Sequence, residues 1–199
     1  GSTTISGTIN FASNSGTARV MTFSGDVTLN SGAVWTEPAT GNGANNTYSF
    51  AGNFINNATT FNALGTGTHT FSGTSKTISG TTTTAIPSIV ISGSITNSAT
   101  LSVGTSLVVN SGATLQMGTG SSPSTITGAG TFTLSSGATL GITSTSGISI
   151  SGASGNIQNS GIRTYSTGAN YIYNGNANQA AGNGLTQNTP ASVQINNTG

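Results

Sequence analysis

The sequence contains very little charge. Its 199 residues include three lysines and arginines, two aspartates and glutamates, and one histidine. Charged residues make up 3% of the chain, against about 25% in ordinary globular domains. Nucleic acid requires clustered basic residues that displace its counterions, so we do not expect this partner. With so little charge to keep copies apart, the composition favours a packed assembly or a surface structure.

Other absences narrow the fold class. Cysteine is absent, which excludes disulfides and thiolate metal sites. No apolar run approaches the roughly 18 residues that a membrane-spanning helix needs. Glutamate, lysine, arginine and methionine, which favour helices, are rare, and no stretch sustains the helical spacing of apolar residues. These absences favour an all-β chain.

What the chain does contain is short alternating runs and a repeated corner. Apolar and polar residues alternate with period 2, as in 4–10, 89–95 and 147–152, which is typical of strands. Asn-Ser-Gly-Ala-Thr-Leu at 110–115 returns 25 residues later as Ser-Ser-Gly-Ala-Thr-Leu at 135–140, and a related Asn-Ser-Gly-Ala-Val-Trp stands at 30–35. Repeats of this length indicate a repeat architecture.

We therefore predict a right-handed parallel β-solenoid with two or three short strands per coil. Seven to nine coils at about 4.8 Å each would form a rod of roughly 35–45 Å. An antiparallel β-sandwich remains the alternative, because it too has short strands separated by frequent turns. Hairpin signals such as Asn-Gly are scarce, which favours the solenoid.

The composition divides the chain into two parts. Residues 1–162 are assigned to the solenoid coils, with a protruding polar loop at 36–46 and a shorter insertion at 118–124. Residues 163–199 are rich in asparagine and tyrosine and are predicted to form two terminal strands around a polar connection. This second part would cap the stack or connect one subunit to the next.

No catalytic or metal site is expected. Asp26 and Glu37 are the only carboxylates, and we expect both, together with His69, to face solvent. Acid–base catalysis needs paired groups with separated pKa values, and a lone histidine with two carboxylates makes a poor metal site. We predict that the chain is not an enzyme and has no cofactor.

Several polar and aromatic residues have alternative interpretations. Trp35, Tyr165, Tyr171 and Tyr173 would either stack on sugar rings or pack inside a cap or subunit interface, and we favour packing. Lys76 is the only lysine, and one hypothesis is that it forms a covalent bond to an asparagine beside a carboxylate.

Threonine pairs raise one further possibility, a face that binds ice. They occur as Thr-x-Thr at 66–68, 81–83, 125–127 and 131–133. Because they fall at irregular phases of the coil, a single flat array is not expected.

The Asn-Ser-Gly-Ala-Thr-Leu corners and the tail motif resemble those of secreted bacterial β-strand-repeat proteins. The tail motif runs from 168 to 185 and is followed by Val-Gln-Ile-Asn-Asn at 193–197. It is similar to segments of adhesin-like and autotransporter-passenger-like surface proteins, and of the very long extracellular proteins of Bacteroidetes-type bacteria. The resemblance implies secretion, surface display, and a structural or adhesive role. The signal and sorting segments of such proteins are not recognisable here, so we expect a fragment or a processed subunit.

Two functions are expected from these observations. The first is a structural subunit of an extracellular filament or sheath, assembled head-to-tail by continuing strands between copies. The second is one block of a long cell-surface adhesin that binds a surface or glycan. In the first case, the assembly residues would lie at the two ends of the chain: Ile5, Ile9, Tyr171, Tyr173, Val193 and Ile195.

Overall fold

The computed structural model describes residues 1–12, 16–118, 124–185 and 189–199. Within them every strand pairing is parallel, and strand partners are roughly 20 to 30 residues apart in sequence. The chain is therefore a parallel β-solenoid, as predicted, and the antiparallel sandwich is excluded. No α-helix is present in the described ranges.

Three sheets form the faces of the solenoid, and we call them A, B and C. Sheet A contains nine strands, which agrees with the predicted seven to nine coils. In stacking order, its strands are β1 Thr3–Ile5, β4 Val27–Leu29, β7 Phe54–Asn56, β10 Lys76–Ser79, β12 Ser94–Asn97, β14 Thr114–Met117, β17 Thr139–Ile142, β19 Asn170–Tyr173 and β20 Ser192–Ile195.

Sheet C stands beside sheet A and is the other long face. Its main path consists of β3 Val20–Phe23, β6 Thr47–Phe50, β9 Thr68–Phe71, β11 Thr84–Ile91, β13 Thr100–Val109, β16 Thr131–Leu134 and β18 Arg163–Tyr165. Sheet B has three strands, β2 Thr8–Asn10, β5 Val34–Glu37 and β8 Thr60–Ala63. Above sheet B, the first halves of β11 and β13 and the short β15 (Thr125–Thr127) continue the same face.

The repeated Gly-Ala corner stands where a coil turns from sheet C to sheet A. At Gly112 and Gly137 φ is positive, 77° and 76°, a conformation that glycine adopts without strain. The alanine that follows each glycine donates its N–H three residues back and is buried. Gly168 forms a third corner of this kind, whereas the related corner at Gly32 joins sheets A and B instead. The same local motif therefore serves two different corners.

The interior consists of columns of inward side chains, because alternate residues of each strand meet the same positions one coil above. In sheet C, Phe23, Phe50 and Phe71 stack with ring centroids 5.2 and 5.1 Å apart. The first coils are rich in aromatic residues around Trp35, and the middle coils contain leucine, isoleucine and valine. The core is continuous from one end of the described chain to the other.

The predicted loops and the tail fit into this stack. The connection predicted at 36–46 spans 38–46, because Thr36 and Glu37 belong to β5. Of the insertion at 118–124, residues 119–123 lie outside the described residues. The tail is continuous with the solenoid: β18 extends sheet C, and β19 and β20 extend sheet A.

Candidate functional site

Glu37 and His69 form a buried pair inside the second and third coils. Each side chain is about 1% exposed, and His69 Nε2 lies 2.9 Å from Glu37 Oε1. The same carboxylate oxygen accepts a hydrogen bond of 2.7 Å from Trp35 Nε1. The prediction that Glu37 and His69 face solvent is wrong. His69 is two residues before the inward Phe71, and residues i and i+2 of a strand share a face.

Aromatic rings surround this pair. Tyr48 stacks on the His69 imidazole with centroids 4.6 Å apart, and Trp35 packs against Phe11 at 4.4 Å. Burial raises the pKa of the Tyr48 hydroxyl, and the nearby Glu37 charge raises it further. Glu37 Oε2 and His69 Nδ1 are buried and have no hydrogen-bond partner among the described residues. The arrangement contains an acid and a base, and both are almost fully buried.

Asp26 directly precedes β4 and Lys76 is the first residue of β10, so both lie at the edge of sheet A. Asp26 Oδ1 accepts hydrogen bonds of 2.8 Å from the Asn53 backbone and 3.1 Å from its side chain. These bonds lower the pKa of Asp26, and the charge of Lys76 lowers it further. Condensation of a lysine with an asparagine needs a protonated acid to polarise the amide. An ionised, solvent-facing Asp26 is poorly suited to that role.

Arg163 and Tyr165 mark the opposite end of sheet C. They occupy inward positions directly above Phe132 and Leu134 and are buried. The Arg163 guanidinium donates to three carbonyl groups, those of Asn159, Ser149 and Gly152. Burial lowers the pKa of Arg163, and no carboxylate pairs with it in the described part of the chain. Tyr165 donates its hydroxyl to the Ser149 carbonyl at 3.0 Å.

These bonds hold a segment, 143–155, across the end of the core. The two ends of this segment are joined by Asn156, whose side-chain oxygen accepts hydrogen bonds of 2.9 Å from the N–H groups of Thr143 and Ser144. Ile148 is buried within the core cluster. A second segment, 174–185, stacks on the first: the Ile148 N–H donates to Ala181 O, and Gly184 N–H donates to Ile148 O. We call 143–155 and 174–185 together the C-terminal cap.

Beside the cap, sheet A ends in an open edge. β20 pairs only with β19, and all four of its residues are exposed. Val193 and Ile195 continue the inward columns of Tyr171 and Tyr173 but are 40% and 62% exposed. Tyr171 and Tyr173 are buried beneath them, so packing, and not sugar stacking, describes these side chains.

At the opposite end, the first coil leaves apolar side chains half-covered. Ile9, Met21 and Phe23 lie one coil outside Trp35, Tyr48 and Phe50 in the same columns. They are only partly buried against the core, whereas Ile5 is almost fully buried. The edges of β1, β2 and β3 are unpaired on their outer side within the described chain.

The residues predicted for assembly thus occupy different layers. Ile5 and Ile9 lie in the first coil, Val193 and Ile195 in the last strand of sheet A, and Tyr171 and Tyr173 one layer below it. Sequence reasoning missed Met21, Phe23 and the capping role of Arg163. Arg163 and Tyr165 alternate with an outward residue in the same way as Phe132 and Leu134. That spacing could have indicated from the sequence that Arg163 points inward.

Comparisons with known proteins add no family. No protein-family model, curated protein or solved structure matches the chain. The described residues contain no helix long and apolar enough to cross a membrane. They also contain no group of three or more histidine, cysteine, aspartate or glutamate side chains placed to hold a metal ion.

Proposed function

We propose that this chain is a structural β-solenoid unit of an extracellular filament or sheath. Copies join head-to-tail by continuing sheet A, with β20 of one copy pairing with β1 of the next. The observation that supports this most directly is the open β20 edge, where Val193 and Ile195 continue core columns and no further described strand pairs above them. Unpaired strand edges recruit further strands unless charge, proline or covering segments block them.

The two edges are compatible in direction and pattern. β1 and β20 belong to one parallel sheet, so translation along the rod places them side by side with the same chain direction. Thr3 and Ile5 are the inward residues of β1, above Val27 and Leu29. Followed through the registers of sheet A, Ile195 lies in the same column as Thr3, so Ile195 would meet Thr3 in the joined copies. No charged residue lies in either strand, so no like-charge repulsion opposes the contact.

The experiment is electron microscopy and sedimentation of the purified chain over a range of concentrations. We expect rods that lengthen with concentration. Ile195→Lys places a charge in the joint and should leave monomers. Leu64→Lys is the matched control, because Leu64 is 54% exposed on the side of the rod and its substitution should leave assembly unchanged.

Two outcomes would contradict the proposal. If the chain remains monomeric at every concentration, the open edges do not join copies, and the adhesin-block alternative gains weight. If Ile195→Lys and Leu64→Lys assemble equally well, the contact does not pass through β20.

A further inference from the structure

The outer face of sheet C is a regular array of small side chains. Outward positions of successive strands align in two columns across the main path from β3 to β18. The first column is Val20, Thr47, Thr68, Ser88, Ser106 and Thr131; the second is Thr22, Ser49, Thr70, Val90, Val108, Thr133 and Thr164. We call these two columns the hydroxyl array.

The registers keep the array straight. Ser88, Ser106 and Thr131 pair in line, as do Val90, Val108 and Thr133. The register shift between β11 and β13 falls between Ile86 and Ser88, at the border of the array. Neighbours lie about 4.8 Å apart between strands and about 6.7 Å apart along a strand. Over seven strands the array extends about 29 Å.

The hydroxyl groups of the array are available to form hydrogen bonds with molecules outside the protein. None of its threonine or serine side chains hydrogen-bonds to another described residue. By contrast, some polar side chains on the outer face of sheet A bond one another, Gln116 with Asn174 and Ser192 with Asn170, and Asn53 bonds Asp26 at the edge of that sheet. The two faces have the same backbone spacing but differ in what their side chains offer to solvent.

The chemistry of the array indicates its partner. It contains no charged and no aromatic side chain. A charged group would hold its own hydration water, and a sugar surface is usually met by aromatic platforms. A threonine presents a methyl group that orders adjacent water and a hydroxyl that bonds to it. The spacings are of the same size as the repeat distances between water molecules on the faces of ice.

We propose that the hydroxyl array binds the surface of ice. Binding arises from many neutral hydroxyl and methyl groups that meet a lattice of the same period, each weak by itself. The proposal does not depend on the filament, because the array lies on the side of the solenoid and the joints at its ends.

The test is thermal hysteresis, the gap between the melting and freezing points of a seeded ice crystal, measured on the purified chain. We expect a measurable gap and incorporation of the protein into growing ice. Thr70→Tyr, in the centre of the array, and Thr133→Tyr, in a separate strand, should each lose most of the gap. Thr96→Tyr, at an outward position of sheet A, is the matched control and should retain it. Circular dichroism establishes that each variant is folded.

Three results would overturn the proposal. The first is no hysteresis and no incorporation into ice by the unaltered chain. The second is an equal loss in Thr96→Tyr, which would remove the link to sheet C. The third is retention on microcrystalline cellulose or chitin without any effect on ice, which would assign the face to a polysaccharide lattice.

Discussion

Buried polar side chains have different hydrogen-bond partners at the two ends of this solenoid. Near the N-terminal end, Glu37 and His69 pair with each other inside an aromatic core and leave Glu37 Oε2 and His69 Nδ1 without partners. Near the C-terminal end, Arg163 and Tyr165 reach outward to the backbone of the cap. The first arrangement joins two coils from within. The second closes the core on the side of sheet C.

The comparison shows two roles for ionisable side chains in a chain that has few of them. Burying an acidic group with its imidazole partner removes water from both, so the pair adds little net stability and is costly to break. A guanidinium that bonds several carbonyls satisfies acceptors that a loop across the core would otherwise leave unpaired. In the described chain, the first coil leaves Ile9, Met21 and Phe23 only partly buried, whereas the cap packs on the inward side chains of β18 and leaves β20 exposed.

Breaking the N-terminal pair should have the largest effect. Glu37→Leu leaves His69 Nε2 and Trp35 Nε1 buried without an acceptor, and we expect a loss of about 3–5 kcal/mol in the free energy of unfolding. Urea denaturation monitored by Trp35 fluorescence measures it. The double variant Glu37→Leu/His69→Phe should recover a large part of the loss, since an apolar ring then fills the site. A double variant no more stable than the single one would contradict this account.

Removing Arg163 should have a smaller and more local effect. Arg163→Met leaves the carbonyls of Ser149 and Gly152 without their donors, and we expect the cap to lose about 2–3 kcal/mol of protection against opening. Hydrogen exchange should increase over 145–155 while the first three coils stay unchanged, because solenoid coils contact mainly their neighbours. Faster exchange throughout the chain would show that the cap governs the stability of the whole stack.

Alkaline pH should weaken the C-terminal coils by ionising their tyrosines. Burial raises the pKa of Tyr171 and Tyr173 from 10.0 to about 12. Their contribution to stability is therefore complete below pH 10, where both states are protonated, and is lost as the pH rises from 10 to 12. Unfolding followed by tyrosinate absorbance should begin in this window. If Tyr171 and Tyr173 instead ionise near pH 10 while the protein stays folded, they are not buried as described.

The smallest effect distinguishes two neighbouring tyrosines. Tyr173 donates its hydroxyl to Ala181 O at 2.6 Å, in the cap, whereas the buried Tyr171 hydroxyl has no partner in the described chain. We expect Tyr173→Phe to cost about 1 kcal/mol and Tyr171→Phe to be neutral or slightly stabilising. Thermal unfolding of the two variants compares them directly, and equal costs would show that the cap bond contributes nothing.

Period-2 alternation, the recurring glycine corners and the lack of helix formers were sufficient to predict a β-solenoid and its number of coils. These are local properties, because a strand alternates its faces whatever its neighbours are. The same rule, applied from Phe71, would have placed His69 inside, because residues two apart in a strand share a face. The sequence therefore contained the information, and the rule was applied wrongly. The candidate joint residues Val193 and Ile195 could likewise be named from the sequence, but their exposure could not.

Other features depended on the register between coils, which the sequence does not state. The hydroxyl array uses Thr68 with Thr70 and Thr131 with Thr133, but also Thr47, Ser88 and Val108, which belong to no Thr-x-Thr pair. Because the coils differ in length, these residues are not evenly spaced in the sequence and align only when the coils stack. The pairing of Glu37 with His69 likewise joins two coils, and the bond from Arg163 to Ser149 joins residues 14 apart within one coil. The sequence by itself therefore determined the strands and their inward faces, and only the stacking of coils decided which polar groups meet and which remain free, because those contacts depend on distances across the stack.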